Sequence, residues 1–352
     1  MNVLLAIVLV IAGVAISLGI IAATGGSPVD ALLALLDGSL GTRERIAITA
    51  ARMSPLVLIA LGWIVAFRGA KVNLGLQGQM IAGGIVSAYI ALEGPSLPPA
   101  LALILATLAG MLAGALFAGI AAVLWAKRGV NEIVSTLMLT FIATQVLLWI
   151  VRGPLHDLSS SAFQSRPLPS EYRWPALVDR TPFTMEIFLT VAAVVIIVFV
   201  LNRTVFGYKL RLAGENPTSA RHAGVQTIRT IVVSFVLSGA LAGLSGTGLV
   251  IGGERNVLSG GFAGNIGFTG IVVALVARNS PVGCVAAAAL FAILDTGGSV
   301  MQVRADVPSE MIFITQGIIV VLVATSVILT RWMDARATTR RAAVEREDDA
   351  VR

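Results

Sequence analysis

The chain has 352 residues, of which 57% are hydrophobic and 12% charged, about half the charged fraction of an ordinary soluble domain. That excludes a soluble core and defines an integral membrane protein. The net charge of +6 does not point to nucleic acid, because the basic residues fall at the ends of apolar stretches, where they set topology instead.

A hydrocarbon layer about 30 Å thick needs roughly 20 apolar residues per helix, and apolar runs recur here at that length. The first, "MNVLLAIVLVIAGVAISLGIIAA", lacks a basic leading region, and its apolar run of about 21 residues exceeds the core of a signal peptide. It reads as a retained span, with cleavage as the alternative. Further spans are expected at 46–67, 74–92, 98–126, 132–151, 184–201, 229–251, 266–277, 282–301 and 309–330. The expected fold is therefore all-α, with about ten transmembrane helices in a membrane domain of residues 1–330 and a charged tail at 331–352.

Alternate loops fall on opposite sides, and the basic residues decide which side is which. Of 25 Lys and Arg, sixteen lie in one set of loops (68–71, 127–128, 203–229, 278 and the tail), eight in the other, and Arg52 within a span. The basic set marks the cytoplasm, so both termini are expected there and the loop 152–183 outside.

The third span opens with "VNLGLQGQM" (72–80), placing Asn73, Gln77 and Gln79 where leucines are usual. "GNIGFTG" (264–270) repeats the pattern Asn-x-Gly-x-x-Gly: Asn73, Gly75 and Gly78, then Asn265, Gly267 and Gly270. In the expected topology the second copy is inverted relative to the first. Inverted repeats with glycine-interrupted helices recur in transporters, which hold solutes near the midplane. Asn73, Gln77, Gln79, Asn265 and Thr269 are then candidate solute-path residues, and neutral amides suit an uncharged, hydroxyl-rich or heterocyclic solute. The competing reading is that the glycines serve only close helix packing.

The fifth span begins "GVNEIVSTLML", with Asn131 and Glu132 at a helix N-terminus, where an acid is favoured. Ser135 and Thr136 are candidates for the solute path or for bonds within the bundle. The loop 152–183 carries five prolines with Tyr172 and Trp174; it is either an irregular linker with aromatic residues at headgroup level or a docking surface for an external protein. His156 and His222 lie in loops on opposite sides and cannot share a metal. Cys284 has no second cysteine to pair with and reads as packing.

Residues 203–228 form a polar region between the sixth and seventh spans. Asn216 is a good N-cap, Pro217 fits the first helical position, and Gly224 is a natural stop. So short a helix needs a partner surface, and Glu215 and Arg221 flank it with opposite charge. Asp295 sits within the ninth span, where a carboxylate must face water, a donor or the solute; a protonated state or a place near the outer mouth remains the alternative.

"GENPTSARHAG" resembles the coupling-helix motif of permease subunits of ATP-binding-cassette importers, in the family serving ribose-type sugars, branched-chain amino acids and nucleosides. "VNLGLQGQM", "GVNEIVSTLMLTFIA" and "GFTGIVVALVARNSPVG" resemble its nucleoside and simple-sugar branch, which usually shows Glu where Gln77 stands and often Tyr where His222 stands. The resemblance implies a multi-pass permease of the bacterial inner membrane. It pairs there with a second permease, usually a different chain, with a cytoplasmic ATPase and with an external solute-binding lipoprotein. It also implies that Glu215, Asn216, Pro217, Ala220, Arg221 and Gly224 couple to the ATPase. The chain has no Gly-x-x-x-x-Gly-Lys-Ser/Thr loop, so ATP and Mg belong to that partner, and the chain holds no cofactor or metal of its own. It is expected not to be an enzyme, since no catalytic constellation emerges. An ion-coupled secondary transporter, with Asp295 as the coupling acid, is the alternative from another class; import of branched-chain amino acids is the alternative within the family.

Overall fold

Local stop signals cut the apolar runs into helices. In the computed structural model, which describes residues 3–23, 25–95, 97–305, 308, 310–322 and 325, these helices are α1 (Val3–Ala23), α2 (Pro28–Leu40), α3 (Arg43–Arg68), α4 (Leu76–Glu93), α5 (Pro99–Arg128) and α6 (Glu132–Arg152), then α7 (Glu186–Arg203), α8 (Val205–Glu215), α9 (Pro217–His222), α10 (Thr227–Ile251), α11 (Ile266–Val276) and α12 (Gly283–Arg304). A further apolar helix spans Glu310–Leu322. Among the described residues the only β pairing is three isolated bridges. The end of the tenth expected span and the tail 331–352 lie outside the described residues.

The boundaries follow local chemistry. Thr42 accepts a hydrogen bond from the Arg45 amide and starts α3, as a hydroxyl N-cap should. Gly129, at φ +63°, stops α5, and Asn131 then caps α6 by accepting from the amides of Ile133 and Val134. Among the described residues, six helices (α3, α5, α6, α7, α10 and α12) are long and apolar enough to cross a membrane. Gln77, Gln79 and three glycines dilute α4, and α11 has only 11 residues. The chain is a multi-pass, all-helical membrane protein. Two helices had no counterpart in the sequence reading: α2 fills the stretch between the first two expected spans, and α8 the stretch ahead of Asn216.

The chain divides into two units. In the first (residues 1–38 and 294–352), Ile21, Ala31, Ala34, Met301 and Met311 form a small apolar core, and Arg304 pairs with Asp37. The second (residues 39–293) is built around α10, which packs on α3, α4 and α5. Gly62 against Ser238, and the Ser245 hydroxyl on the Pro55 carbonyl at 3.3 Å, set α3 antiparallel to α10. Where α4, α5 and α10 cross, glycine meets glycine: Gly83 lies on Gly243, and Gly114 on Gly239 and Gly243. Small residues permit this backbone approach, the usual means of holding helices in lipid.

Loop 153–185 lies along the segment that follows α10. The amide of Ser165 bonds the carbonyl of Leu258 at 2.8 Å, and that of Leu168 bonds the carbonyl of Asn256 at 2.9 Å. Trp174 is buried there, its ring packed beside Gly252.

Candidate functional site

The connection from α3 to α4 climbs into the bundle instead of lying at its edge. Lys71 anchors its base, with Nζ 3.2 Å from the Glu132 carboxylate and 4.5 Å from the centre of the Trp125 ring. Asn73 is fully buried and uses all its hydrogen-bonding positions. Its amide nitrogen donates to Gln79 Oε1 and Ser238 Oγ, both at 3.0 Å, and its Oδ1 accepts from Gln79 Nε2 at 3.0 Å and from the Gly75 amide at 3.1 Å. Ser238 lies near the middle of α10, so this knot of amides is deep in the bundle. An unpaired polar group in hydrocarbon costs several kcal/mol; reciprocal pairing removes that cost and fixes where α4 begins.

Gln77 joins the two copies of the repeated pattern. Its Nε2 donates to the Gly264 carbonyl at 2.7 Å, and its Oε1 accepts from the Gly267 amide at 2.6 Å. It thereby satisfies one of the orphan donors at the N-terminus of α11, whose own Asn265 makes no capping bond. Gly267 lets the copies touch, since a side chain there would strike Gln77; Gly270 and Gly78 instead admit neighbouring helices, where added side chains would strike Ile59 of α3 and Thr140 of α6. The N-termini of α4 and α11 therefore face each other across a single glutamine.

The remaining path candidates are dispersed. Asn265 is exposed and Thr269 half-buried on α11. The Ser135 and Thr136 hydroxyls donate to the Glu132 carbonyl at 3.2 and 2.7 Å, which satisfies them within α6. Asp295 belongs to the first unit and is exposed on α12. Sequence reading missed Glu186, which is 7% exposed, lies against Gly248, and has an Oε1 without a hydrogen-bond partner among the described residues. Nothing local marks it, since an acid at the start of a helix is ordinary.

The polar region after α7 folds as two helices. Asn216 Oδ1 accepts from the amides of Thr218 at 3.1 Å and Ser219 at 3.0 Å. Pro217 follows at the first position, and Gly224, at φ +76°, turns the chain away. Ala220 is the fully buried side of α9, while Thr218, Ser219, Arg221 and His222, and Glu215 just before it, are exposed. Below it, α8 packs Gly214 on the backbone of Arg68–Ala70 and Leu210 on Gly69. The exposed helix is thus in mechanical contact, through α8, with the connection that carries Asn73.

A multi-pass bundle with two helix N-termini meeting inside it and a short capped helix at one end has the architecture of a membrane permease. Residues 45–324 match the family described as the permease component of branched-chain amino acid transport systems, and the chain belongs to that family. It is 30% identical to the nucleoside ABC transporter permease protein NupB of Lactococcus lactis, over 93% of this chain and 92% of that one. It is 31% identical to a glucose ABC transporter permease protein of Haloferax volcanii, over 94% and 90%. It is also 31% identical to the guanosine ABC transporter permease protein NupP of Bacillus subtilis, over 92% and 94%. No solved structure matches.

Proposed function

We propose that this chain is the permease subunit of an ATP-binding-cassette importer and moves nucleosides or related simple sugars across the cell membrane by alternating access. The observation that carries the reading is α9, which is capped at both ends and buries its own Ala220, with Arg221 exposed on it and Glu215 exposed at the end of α8 just before it. Its partners are a cytoplasmic ATPase that binds ATP and Mg, a second permease of different sequence, and an external solute-binding lipoprotein. In this reading α1, α4, α11 and Glu310–Leu322 cross the membrane with the six long helices, ten crossings in all, and the distribution of basic residues favours both termini in the cytoplasm and 152–183 outside. The amide knot at Asn73, Gln77 and Gln79 then braces the broken helices beside the path. Movement of α9 reaches it through α8.

The test is uptake by the assembled transporter in proteoliposomes. Substituting Glu215 or Arg221 is expected to separate ATP hydrolysis from uptake while leaving membrane insertion intact. Uptake by this chain alone, driven by a proton or sodium gradient without ATP, would overturn the reading. So would labelling of residues 203–228 from outside.

A further inference from the structure

The two copies of the repeated pattern reach the same depth by different means. Asn73 bonds Ser238 near the middle of α10, and α4 starts three residues later. A side chain on Gly270, early in α11, would strike Ile59 and approach the Leu56 carbonyl, both near the middle of α3. Both broken helices therefore begin halfway along helices of 25 and 26 residues. To get there from the end of α10 at Ile251, residues 252–265 descend about half the length of that helix, roughly 19 Å, without forming a helix of their own.

At that depth the copies differ. The first is sealed, for Asn73 is 0% exposed and fully paired. Asn265 holds the equivalent place in the second copy. It is exposed, and its carboxamide makes no hydrogen bond among the described residues. A carbon added to Gly261 or Gly264 would meet nothing within 4 Å, so the chain leading to Asn265 borders open space. Phe268, 41% exposed, follows on the next turn.

Irregular backbone and an unpaired amide are not tolerated against hydrocarbon at mid-depth, where each unsatisfied group costs several kcal/mol; they persist where protein buries them or water meets them. The first copy shows how this fold buries an asparagine, with reciprocal bonds from Gln79 and a hydroxyl from α10. The second copy has no such partners. We propose that the second copy is the solute-facing wall of the passage, where Asn265 exchanges hydrogen bonds with the hydroxyls of a sugar ring and Phe268 offers that ring an apolar face. A carboxamide both donates and accepts, as hydroxyls do, and side chains three apart on a helix are neighbours. Asn73 and Gln77 hold this wall in place without touching solute. The sugar ring is the chemistry that nucleosides and simple sugars share, and the proposal rests on the importer reading while locating where that shared part is recognised.

The assembled transporter in proteoliposomes supplies two tests. Asn265→Ala should raise the half-saturating solute concentration for uptake about tenfold, as loss of one hydrogen bond to an uncharged group does, and should melt in detergent at the wild-type temperature. Asn73→Ala should instead melt lower. Guanosine and glucose, assayed separately, tell which source of the sugar ring the wall reads. For the second test, Asn265→Cys is placed in a Cys284→Ser background, which removes the single native cysteine. A membrane-impermeant thiol reagent supplied on both faces should label it, and whichever of guanosine and glucose is transported should slow that labelling. Leu112→Cys, on the aliphatic outward face of α5, should stay unlabelled. No labelling at 265, as when the second permease or lipid covers it, overturns the proposal. So does labelling that the transported solute leaves unchanged, or wild-type affinity in Asn265→Ala. These results leave the importer reading standing, whereas wild-type uptake that needs no ATP sinks that reading. A wild-type transporter that moves neither probe sinks the solute class and this proposal with it.

Discussion

Gln77 and Gly267 stand 190 positions apart in the chain and are joined by a hydrogen bond of 2.6 Å. The same side chain holds Gly264 on its other amide atom. Replacement by leucine leaves a buried N–H and a carbonyl unpaired, at about 1–3 kcal/mol for each group. Gln77→Leu should therefore unfold in detergent at clearly lower temperature than the wild type. Gln77→Glu, which as a carboxylate keeps only the acceptor role, should fall between them. Equal melting of all three would refute the bracing role.

Gly267 tests the same joint from the other side. A methyl group there meets the Gln77 side chain and lies 2.6 Å from its Cα; overpacking of this kind costs about 1–3 kcal/mol. Gly261, where an added carbon meets nothing within 4 Å, is the control. Thermal melts should separate Gly267→Ala from Gly261→Ala, with the second close to wild type.

Coupling should depend on how firmly α9 is held. Asn216→Ala removes an N-cap worth about 1 kcal/mol, and Gly224→Ala forces a side chain into left-handed backbone at about 1–2 kcal/mol. Both should lower the solute taken up per ATP hydrolysed in the assembled transporter, without lowering the amount of chain in the membrane. An unchanged ratio would show that the helix need not be rigid.

Lys71 and Glu132 should show a coupling of about 1 kcal/mol in a double-mutant cycle, fading with added salt. Unfolding of Lys71→Met, Glu132→Gln and the double variant supplies the four corners. Strict additivity would mean that the Trp125 ring alone holds Lys71.

The loop 153–185 should loosen in acid. The Ser159 hydroxyl at 2.6 Å and its backbone amide at 3.0 Å hold the Asp157 carboxyl below the usual carboxylate range. A depressed value stabilises the fold above the ordinary pKa, and that contribution is lost as pH falls through the lowered one. Limited proteolysis of the loop should accelerate below about pH 4 in the wild type. Asp157→Asn, already without the charge, should show no such step.

How much of this was legible depended on distance along the chain. The start and stop of α9 could be read from Asn216, Pro217 and Gly224 because capping is local and each residue acts on the next turn. The apolar runs gave the helices for the same reason. Nothing in "VNLGLQGQM" could reveal that Gln77 caps α11, since its partners lie in another segment and any buried amide would have looked the same. The burial of Glu186 and Trp174 was equally hidden, for each depends on a glycine of the α10 region, Gly248 or Gly252. The composition of α2, whose first turn carries Asp30 and which ends in Gly-Ser-Leu, fits neither a span nor a loop.

The glycine contacts among α4, α5 and α10 limit how this protein can move. Side chains cushion a sliding interface by hopping between rotamers, and at Gly83, Gly114, Gly239 and Gly243 there are none to hop. Any turn of one helix against another would drive carbonyl into carbonyl. These three helices must travel as one rigid block, and the hinges of a transport cycle have to be sought along its borders.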